Sequence, residues 1–376
     1  MRLADRLRAL RNRWLASPAF QRWAAGFPLT RHIADRRARE LFDVCAGFVY
    51  SQVLLACVQL RVFERLAAGP RGLTALATEM ALTPAAAERL LKAAAALKLV
   101  ERVDAERYAL GSLGAVLAGS PALLAMVEHH ALVYRDLADP VALLRGEAPA
   151  TGLAQYWAYS GSARPDGLKP EAVNDYTTLM AVSQTLVCED VLDAYPLHAH
   201  RRLLDVGGGD GSFAIEAARR TPGLSATVFD LPAVAERARE HIAAAGFGAR
   251  VSAAGGSFLS DALPGGADLI SFVRVLHDHN DDAVLTMLRA ARAALSSGGR
   301  VLIAEPMAGT PGAEAVGDAY FGFYLLAMGR GRARTVDELG ALLRAAGFAA
   351  PTPVATRRPL QTSLLYAAAA PHHPKV

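Results

Sequence analysis

The feature that most constrains the fold of this chain is a glycine-rich turn that joins an apolar run to a helix-compatible run. The string LLDVGGGDGS, residues 203–212, holds four glycines and two aspartates. Glycine readily adopts positive φ and lets a ligand approach the main chain closely. At the carboxyl end of a strand in a parallel sheet, such a turn indicates a ligand-binding site.

Strand-like runs alternate with helix-like runs through the second half of the chain. The strand-like strings are RRLLDV, SATVFDL, ARVSAA, ADLISFV, RVLIAEP and TSLLYAAA, and helices are predicted over 213–220, 232–245, 281–296 and 335–346. This alternation is typical of a doubly wound, mostly parallel sheet. We therefore predict an α/β fold with a Rossmann-like domain over residues 191–370.

The first half is predicted to be helical, because alanine and leucine dominate residues 38–66. Farther along, Thr74 is a candidate cap of a short helix, and Thr83 is expected to cap a second helix that begins with proline. Two short strand-like runs then flank a turn at residues 104–106. Together these elements predict an all-helical, winged-helix-like domain over residues 41–190.

A winged helix raises the alternative of DNA binding, which the composition of its second helix disfavours. That helix offers only Arg89 and Lys92 as cations, and it has no Asn or Gln to contact a base edge. It can make too few phosphate contacts for a DNA reader. We therefore expect a homodimerisation domain and no nucleic-acid partner.

Residues 1–40 form a basic and aromatic arm. It holds ten arginines, and four aromatic residues are interleaved with them: Trp14, Phe20, Trp23 and Phe27. Basic, amphipathic segments of this kind bind acidic membrane surfaces. Peripheral membrane contact and packing on a partner subunit are both open interpretations of the arm.

Composition narrows the class of protein. Hydrophobic residues make up 52% of the 376 positions and charged residues 20%, which argues against disorder. Three widely spaced cysteines in apolar surroundings predict reduced core thiols, and no early apolar segment suggests secretion. The apolar run 44–60 is shorter than the ~20 residues of a membrane span, so we predict a buried helix and a cytoplasmic protein.

The residues around the glycine turn favour a cationic ligand. Position 212 is serine, so the dinucleotide pattern GxGxxG fails, and no Lys-Ser/Thr pair follows to complete a phosphate loop. Asp205 would repel a pyrophosphate but suits the positive charges of S-adenosylmethionine. Asp230, 23 residues after Gly207, is placed to accept hydrogen bonds from two ribose hydroxyls, although it could also cap the following helix.

The fourth strand-like run leads into HDHNDD, where His277 is a candidate general base. Its ordinary pKa near 6.5 suits removal of a hydroxyl proton during methyl transfer. Glu305, at the end of the fifth run, could orient the imidazole. Metal binding by residues 277–279 and a simple loop-capping role for His277 are the alternatives, although no fourth metal ligand is evident.

At these strings the chain resembles the plant-type small-molecule O-methyltransferases and their bacterial relatives. The matching strings are LLDVGGGDGSFA, VFDLPAV, RVLHDHNDDAVLTMLRAARAAL and GGRVLIAEP. The resemblance implies that His277 is the base and that Glu305 supports it. It also implies cofactor contacts at Asp205, Gly207, Asp230 and Arg274, and from a preceding helix at Met180, Ser183 and Gln184. The predicted cofactor set further includes Gly209, Asp210 and Leu231.

Two departures from that family affect the predicted site. Where the family has GGDMF, this chain has GGSFL, so Ser257 and Phe258 are expected to hold the adenine by a weaker hydrogen bond and by stacking. Where plant members carry a second acid in the string GKERT, this chain has Ala333. The base then has one fewer carboxylate neighbour unless Asp278 or Asp318 substitutes.

The stretch 16–67, from ASPAFQRW to VFERLA, resembles the carotenoid O-methyltransferases of purple bacteria. That resemblance implies an acyclic carotenoid with a tertiary 1-hydroxyl as the acceptor, and the apolar residues 320–329 and 131–137 could line its pocket. A phenolic or polyketide acceptor is the first alternative. The second alternative is a winged-helix regulator whose methyltransferase-like half senses a ligand.

Overall fold

The computed structural model describes residues 2–156, 187–360 and 362–371. The chain divides into two compact units, Met1–Ser120 and Pro121–Val376. Unit 1 contains α1 (Leu3–Ala16), α2 (Pro18–Gly26), α3 (Arg31–Gln59), α4 (Val62–Leu66), α5 (Leu73–Glu79), α6 (Pro84–Ala96), α7 (Ser112–Ala118), β1 (Arg71–Gly72), β2 (Val100–Arg102) and β3 (Arg107–Leu110). The predicted domain limits at 40 and 190 stay predictions.

Unit 2 begins with helices and continues as an α/β domain. Its helices are α8 (Pro121–Asp136), α9 (Pro140–Arg145), α10 (Gly152–Tyr156), α11 (Ser212–Arg220), α12 (Pro232–Ala244), α13 (Asp281–Ala294), α14 (Gly322–Met328) and α15 (Val336–Ala345). Its strands are β4 (Arg202–Val206), β5 (Ser225–Asp230), β6 (Val251–Gly255), β7 (Ala267–Val273), β8 (Leu295–Glu305), β9 (Thr352–Val354) and β10 (Ser363–Ala368). A 3-10 helix spans Leu276–Asp278, and a π-helix spans Ala315–Phe321.

In unit 1, two helices and a small antiparallel sheet follow one another as the sequence predicts. The hydroxyl of Thr83 accepts a hydrogen bond from the Ala86 amide at the start of α6, which confirms the predicted cap. The predicted cap at Thr74 is wrong, because α5 begins at Leu73 and its cap position is Gly72. β2 and β3 pair as a hairpin and β1 adds to β3, so the element order of a winged helix is present.

The apolar run 44–60 is not the buried helix that we predicted. It belongs to α3, which spans 29 residues and buries only Leu55, Cys57 and Val58 in the single chain. Leu41, Phe42, Val44 and Phe48 are 63–80% exposed. Cys45 is exposed as well, so one of the three predicted core thiols lies on the surface. By length and composition α3 could cross a membrane, but apolar helices that pack in proteins pass the same test.

Unit 2 is built on a seven-stranded sheet in the order β6-β5-β4-β7-β8-β10-β9. The first five strands in that order are parallel, and β10 runs antiparallel to β8 and to β9. The predicted mostly parallel sheet is therefore confirmed. From β4 the chain adds β5 and β6 on one side of the sheet and then β7 and β8 on the other, so the direction of strand addition reverses between β4 and β7. Ligand sites of open α/β sheets lie outside the carboxyl ends of the strands at such a point.

Helices cover both faces of this sheet and fix the strand ends. One core joins Phe213, Ala217 and other residues of α11 to β4 and β5, and the second joins Met287 and Leu339 to β7 and β8. Truncation of a large side chain in these cores, such as Met287 or Leu339, to alanine typically costs about 2–5 kcal/mol. The turns that follow β4, β5, β7 and β8 are thus held at one rigid edge.

Candidate active site

The turn after β4 presents bare main chain at Gly209. Gly207 and Gly209 have φ values of 70° and 58°, which disfavour any residue with a Cβ. A Cβ on Gly207 would come within 2.8 Å of the Val275 side chain, whereas a Cβ on Gly209 would meet no atom of the described residues within 4 Å. Gly207 therefore serves packing, and Gly209 faces open space that suits a ligand.

Asp230, at the end of β5, holds that turn in place. Its Oδ2 accepts a hydrogen bond from the Gly209 amide at 2.9 Å, and its Oδ1 accepts one from the Leu231 amide at 2.7 Å. Burial raises its pKa to about 6, although both amide bonds act in the opposite direction. The helix-capping alternative is not how Asp230 acts, because the cap position of α12 is Leu231.

Asp205 lies beneath the turn and is fully buried. Its Oδ1 accepts a 2.6 Å hydrogen bond from the Ser271 hydroxyl on β7, and Oδ2 has no hydrogen-bond partner among the described residues. The pKa of this carboxyl is raised to about 7, chiefly by burial and also by the negative charges of Asp230 and Asp210, while the Ser271 bond acts in the opposite direction. An unpartnered buried carboxylate oxygen next to the turn fits a positively charged ligand.

The remaining predicted cofactor residues surround this turn with different partners. Asp210 accepts a hydrogen bond from the Ser212 amide at 3.1 Å and points toward α11. The Ser257 hydroxyl lies 3.4 Å from the Leu259 amide, and the Phe258 ring meets His279 edge to face at 5.4 Å. Arg274 follows β7 with a left-handed φ of 59°. Such strain in a non-glycine residue is common at functional sites.

Three further predicted cofactor residues, Met180, Ser183 and Gln184, lie outside the described residues. All predicted cofactor contacts, Leu231 included, therefore stay predictions. What the structure brings together is the turn, Asp205 beneath it and Asp230 beside it.

His277 lies in the 3-10 helix that follows β7 and is 4% exposed. Its Nε2 is 3.2 Å from Asp278 Oδ1, and its Nδ1 is 3.7 Å from Glu305 Oε1. The same Glu305 oxygen accepts hydrogen bonds from the amides of Val275, Leu276 and His277. Glu305 thus fixes the turn that carries the imidazole and lies beside its ring.

The electrostatics of His277 suit a base flanked by carboxylates. Burial alone would lower its pKa, but the negative charges of Asp278 and Glu305 outweigh this effect and raise the pKa above its usual value. Among the described residues, no three His, Cys, Asp or Glu side chains form a metal-binding group. The chemistry that this arrangement offers is proton transfer.

Asp278 is a second acid beside the His277 ring, in addition to Glu305. The string GRART places Ala333, not an acid, after Arg332. Of the two candidate substitutes, Asp278 lies 3.2 Å from His277, whereas Asp318 accepts a hydrogen bond from the Gly309 amide at 2.9 Å. Asp278 is therefore the better placed of the two.

Arg334 is a site residue that sequence reasoning missed. Its side chain is fully buried, and it donates to the carbonyls of Leu276 at 2.9 Å and His279 at 2.6 Å, on either side of His277. It also binds Asp281 Oδ1 at 2.8 Å. The sequence shows an arginine in the string GRART, but only the fold shows that its side chain binds the carbonyls on both sides of His277.

The geometry defines a class of protein: an open, mostly parallel Rossmann-like sheet with a glycine turn after β4, an acid at the end of β5 and a buried histidine after β7, as in class I methyltransferases. Comparison with known families agrees. Residues 134–349 match the O-methyltransferase domain, and residues 42–120 match the O-methyltransferase dimerisation domain. The chain belongs to this O-methyltransferase family and is an S-adenosylmethionine-dependent O-methyltransferase. Its dimerisation domain supports a homodimer.

Individual relatives agree with this assignment. The chain is 45% identical to demethylspheroidene O-methyltransferase of Cereibacter sphaeroides over 336 residues, which is 89% of this chain and 88% of that protein. It is 34% identical to acetylserotonin O-methyltransferase of Mus musculus, with 84% of each chain covered. The structure of human N-acetylserotonin methyltransferase with S-adenosylmethionine superposes with a TM-score of 0.73 at 26% identity, covering 89% of this chain and 98% of that one.

Replacement of Gly209 by alanine tests the open face of the turn. We expect Gly209→Ala to weaken S-adenosylmethionine binding about tenfold or more, because the new Cβ occupies ligand space. Strain from positive φ should cost about 1 kcal/mol of unfolding free energy. Gly246→Ala is the matched control, since Gly246 has φ 77° and a Cβ there would lie more than 4 Å from every atom in the described part of the chain. Equal affinity in both variants, measured by calorimetry, would contradict this placement.

The two acids predict that cofactor affinity depends on pH. With pKa values of about 7 for Asp205 and about 6 for Asp230, both carboxyls are fully charged only above neutrality. We expect affinity to increase as the pH rises from about 5.5 to 8, with proton release on binding near neutral pH, because a cation lowers both pKa values. Calorimetry in buffers of different ionisation enthalpy measures the protons. The demethylated product, which lacks the sulfonium charge, should show a weaker trend; identical trends would argue against this arrangement.

Proposed function

We propose that this enzyme methylates the tertiary 1-hydroxyl of an acyclic hydroxycarotenoid, with His277 as the general base. The observation that carries the acceptor is the 45% identity, over 89% of the chain, to a demethylspheroidene O-methyltransferase. A second protein of that name, from Rhodobacter capsulatus, is 41% identical over 90% of the chain. Acetylserotonin methyltransferases are more distant, at 34% and below.

Apolar and aromatic groups next to His277 support an apolar acceptor. The Phe321 ring meets the His277 ring edge to face at 5.7 Å and contacts Tyr320 at 5.1 Å. Phe321 and Tyr320 are only half-buried, whereas Tyr324 and Met328 belong to a core cluster. Of the apolar stretch 320–329, the first two residues are thus the better candidates for a pocket wall.

The polar ends of these tyrosines are already satisfied by histidines on α8. His129 Nε2 lies 2.8 Å from the Tyr324 hydroxyl, and His130 Nε2 lies 2.7 Å from the Tyr320 hydroxyl. Burial lowers the pKa of both histidines, so they stay neutral at physiological pH. The Tyr320 ring can therefore present carbon to an acceptor without leaving its hydroxyl unpaired.

The chemistry assigns different tasks to the acid–base groups. The bound cofactor supplies an electrophilic methyl group, and Asp205, Gly209 and Asp230 are the residues that would hold it. An aliphatic alcohol is too weak an acid for a histidine to ionise fully in advance, so His277 accepts the proton as the new C–O bond forms. Glu305 and Asp278 stabilise the imidazolium that results. Positioning of the acceptor hydroxyl relative to the cofactor supplies the rest of the rate enhancement.

Methyl transfer from labelled donor to a panel of acceptors tests this proposal. The purified enzyme, with acceptors dispersed in detergent, should label 1-hydroxy carotenoids in preference to phenols and polyketides. Preferential labelling of a phenol or a polyketide would show that the acceptor belongs to that class and is not a carotenoid. Since a carotenoid acceptor lies in a bilayer, the proposal includes peripheral membrane contact through the arm, residues 1–40.

A further inference from the structure

The first helix of the arm is amphipathic, yet none of its residues is buried in the single chain. At about 100° per residue, Leu3, Leu7, Leu10 and Trp14 fall within an arc of about 60°. These four side chains are 74%, 58%, 52% and 56% exposed. A continuous, solvent-exposed apolar stripe thus runs the length of α1, and the described residues of the chain leave it uncovered.

The second helix extends this stripe with aromatic rings. Trp14 meets Phe20 edge to face at 5.6 Å, and Trp23 stacks on Phe27 at 5.2 Å. Trp14, Phe20 and Trp23 also line an open, largely apolar groove with Ser17 and Ala19. Tryptophan and phenylalanine with exposed faces are favoured where hydrocarbon meets headgroups.

The arginines around the stripe favour an anionic lipid surface as its partner. Arg6 and Arg13 lie along one side of the α1 stripe and Arg11 along the other, by the same helical geometry. Residues 2–39 hold ten arginines but only two aspartates, so the arm of a second copy would repel this surface. The arm also precedes the dimerisation match, which begins at residue 42. A narrow apolar stripe between arginines suits an anionic bilayer.

We propose that α1 and α2 dock this enzyme on an anionic lipid surface, with the stripe of Leu3, Leu7, Leu10 and Trp14 in the hydrocarbon boundary and the arginines at the headgroups. The inference deepens the proposed function, because it names the surface from which a lipophilic acceptor is drawn. It does not depend on which acceptor the enzyme uses.

Co-sedimentation of the full-length enzyme with vesicles tests the docking. We expect binding to phosphatidylcholine vesicles that contain phosphatidylglycerol, weak binding to phosphatidylcholine alone, and release by salt. Leu7→Glu should weaken partitioning about tenfold or more, because it puts a charge in the stripe. Asn12→Glu, the same change in charge on the opposite side of α1, should change it less than about twofold.

The outcomes separate this inference from its rivals. Equal binding of Leu7→Glu and Asn12→Glu, or no preference for anionic vesicles, overturns it. Absence of vesicle binding, together with dimer dissociation in Leu7→Glu, shows instead that a second copy covers the stripe. Methyl transfer to detergent-dispersed acceptor is measured in parallel: if the carotenoid is not methylated but anionic vesicles still bind the wild type and not Leu7→Glu, the acceptor proposal fails while the docking stands.

Discussion

His277→Ala is expected to lose turnover by about 10²–10⁴-fold while the affinity for S-adenosylmethionine changes little. The range is that of a positioned general base. The two effects are expected to separate because different residues are involved. His277 follows β7 and lies beside Asp278, Glu305 and Phe321. The predicted cofactor site is instead the glycine turn after β4 with Asp230 at the end of β5. Single-turnover rates and calorimetry measure the two quantities independently.

The pH profile supplies a second measurement of the same role. Because the carboxylates raise the pKa of His277, a growing fraction of the base is protonated as the pH falls through that value, and turnover falls with it. The residual rate of His277→Ala should lack this acid limb. His279→Gln is the matched control, since His279 is equally buried but lies against Phe258, and it should lose about tenfold or less. An equal loss in both variants, or a parallel loss of cofactor binding, would remove His277 from the role of base.

Arg334→Met is expected to lower the unfolding free energy by about 2–4 kcal/mol and to lower turnover with it. The substitution leaves the buried His279 carbonyl without its donor and removes one of two donors from the Leu276 carbonyl, which keeps the hydrogen bond from the His279 amide at 3.2 Å. Each unsatisfied buried acceptor typically costs about 1–3 kcal/mol. The turn that carries His277 would then keep Glu305 and the Arg332 amide but lose its arginine side-chain restraint, so kcat should fall more than KM for the cofactor rises.

Arg332→Met is the matched control for this prediction. Arg332 also pairs with Asp281, but its side chain is 42% exposed, so its loss should cost less than about 1 kcal/mol. Its amide still donates to the His277 carbonyl in the variant. Arg334→Lys should recover part of the stability and part of kcat. Equal kcat in Arg334→Met and the wild type would show that Arg334 does not position His277 for proton transfer.

The α/β half was predictable because its signals are local. The helix-like runs predicted α11, α12, α13 and α15 to within one or two residues of their observed limits. β9 was missed, since three exposed or half-exposed residues with a proline carry little strand signal. β8 starts at Leu295, inside the run assigned to a helix, because pairing with β7 overrides local preference there.

Burial and clamping were less predictable because they depend on distant residues or on other chains. The apolar run in α3 predicted a core helix, but in the single chain its face at residues 41–48 is exposed. That face is expected on a helix whose partner is a second subunit, and it begins where the dimerisation match begins. Arg334 binds groups that lie more than fifty positions earlier in the sequence, a relation that no local pattern records.

The hydrogen bonds of Asp230 have a consequence for the kinetics of ligand entry. Each carboxylate oxygen already restrains one amide, that of Gly209 or that of Leu231, so the loop adopts its ordered shape during folding. The entropy lost in ordering it therefore opposes folding and not association. Such preorganisation predicts a loop whose amides resist hydrogen exchange before any nucleoside arrives, and an association rate limited by diffusion and access.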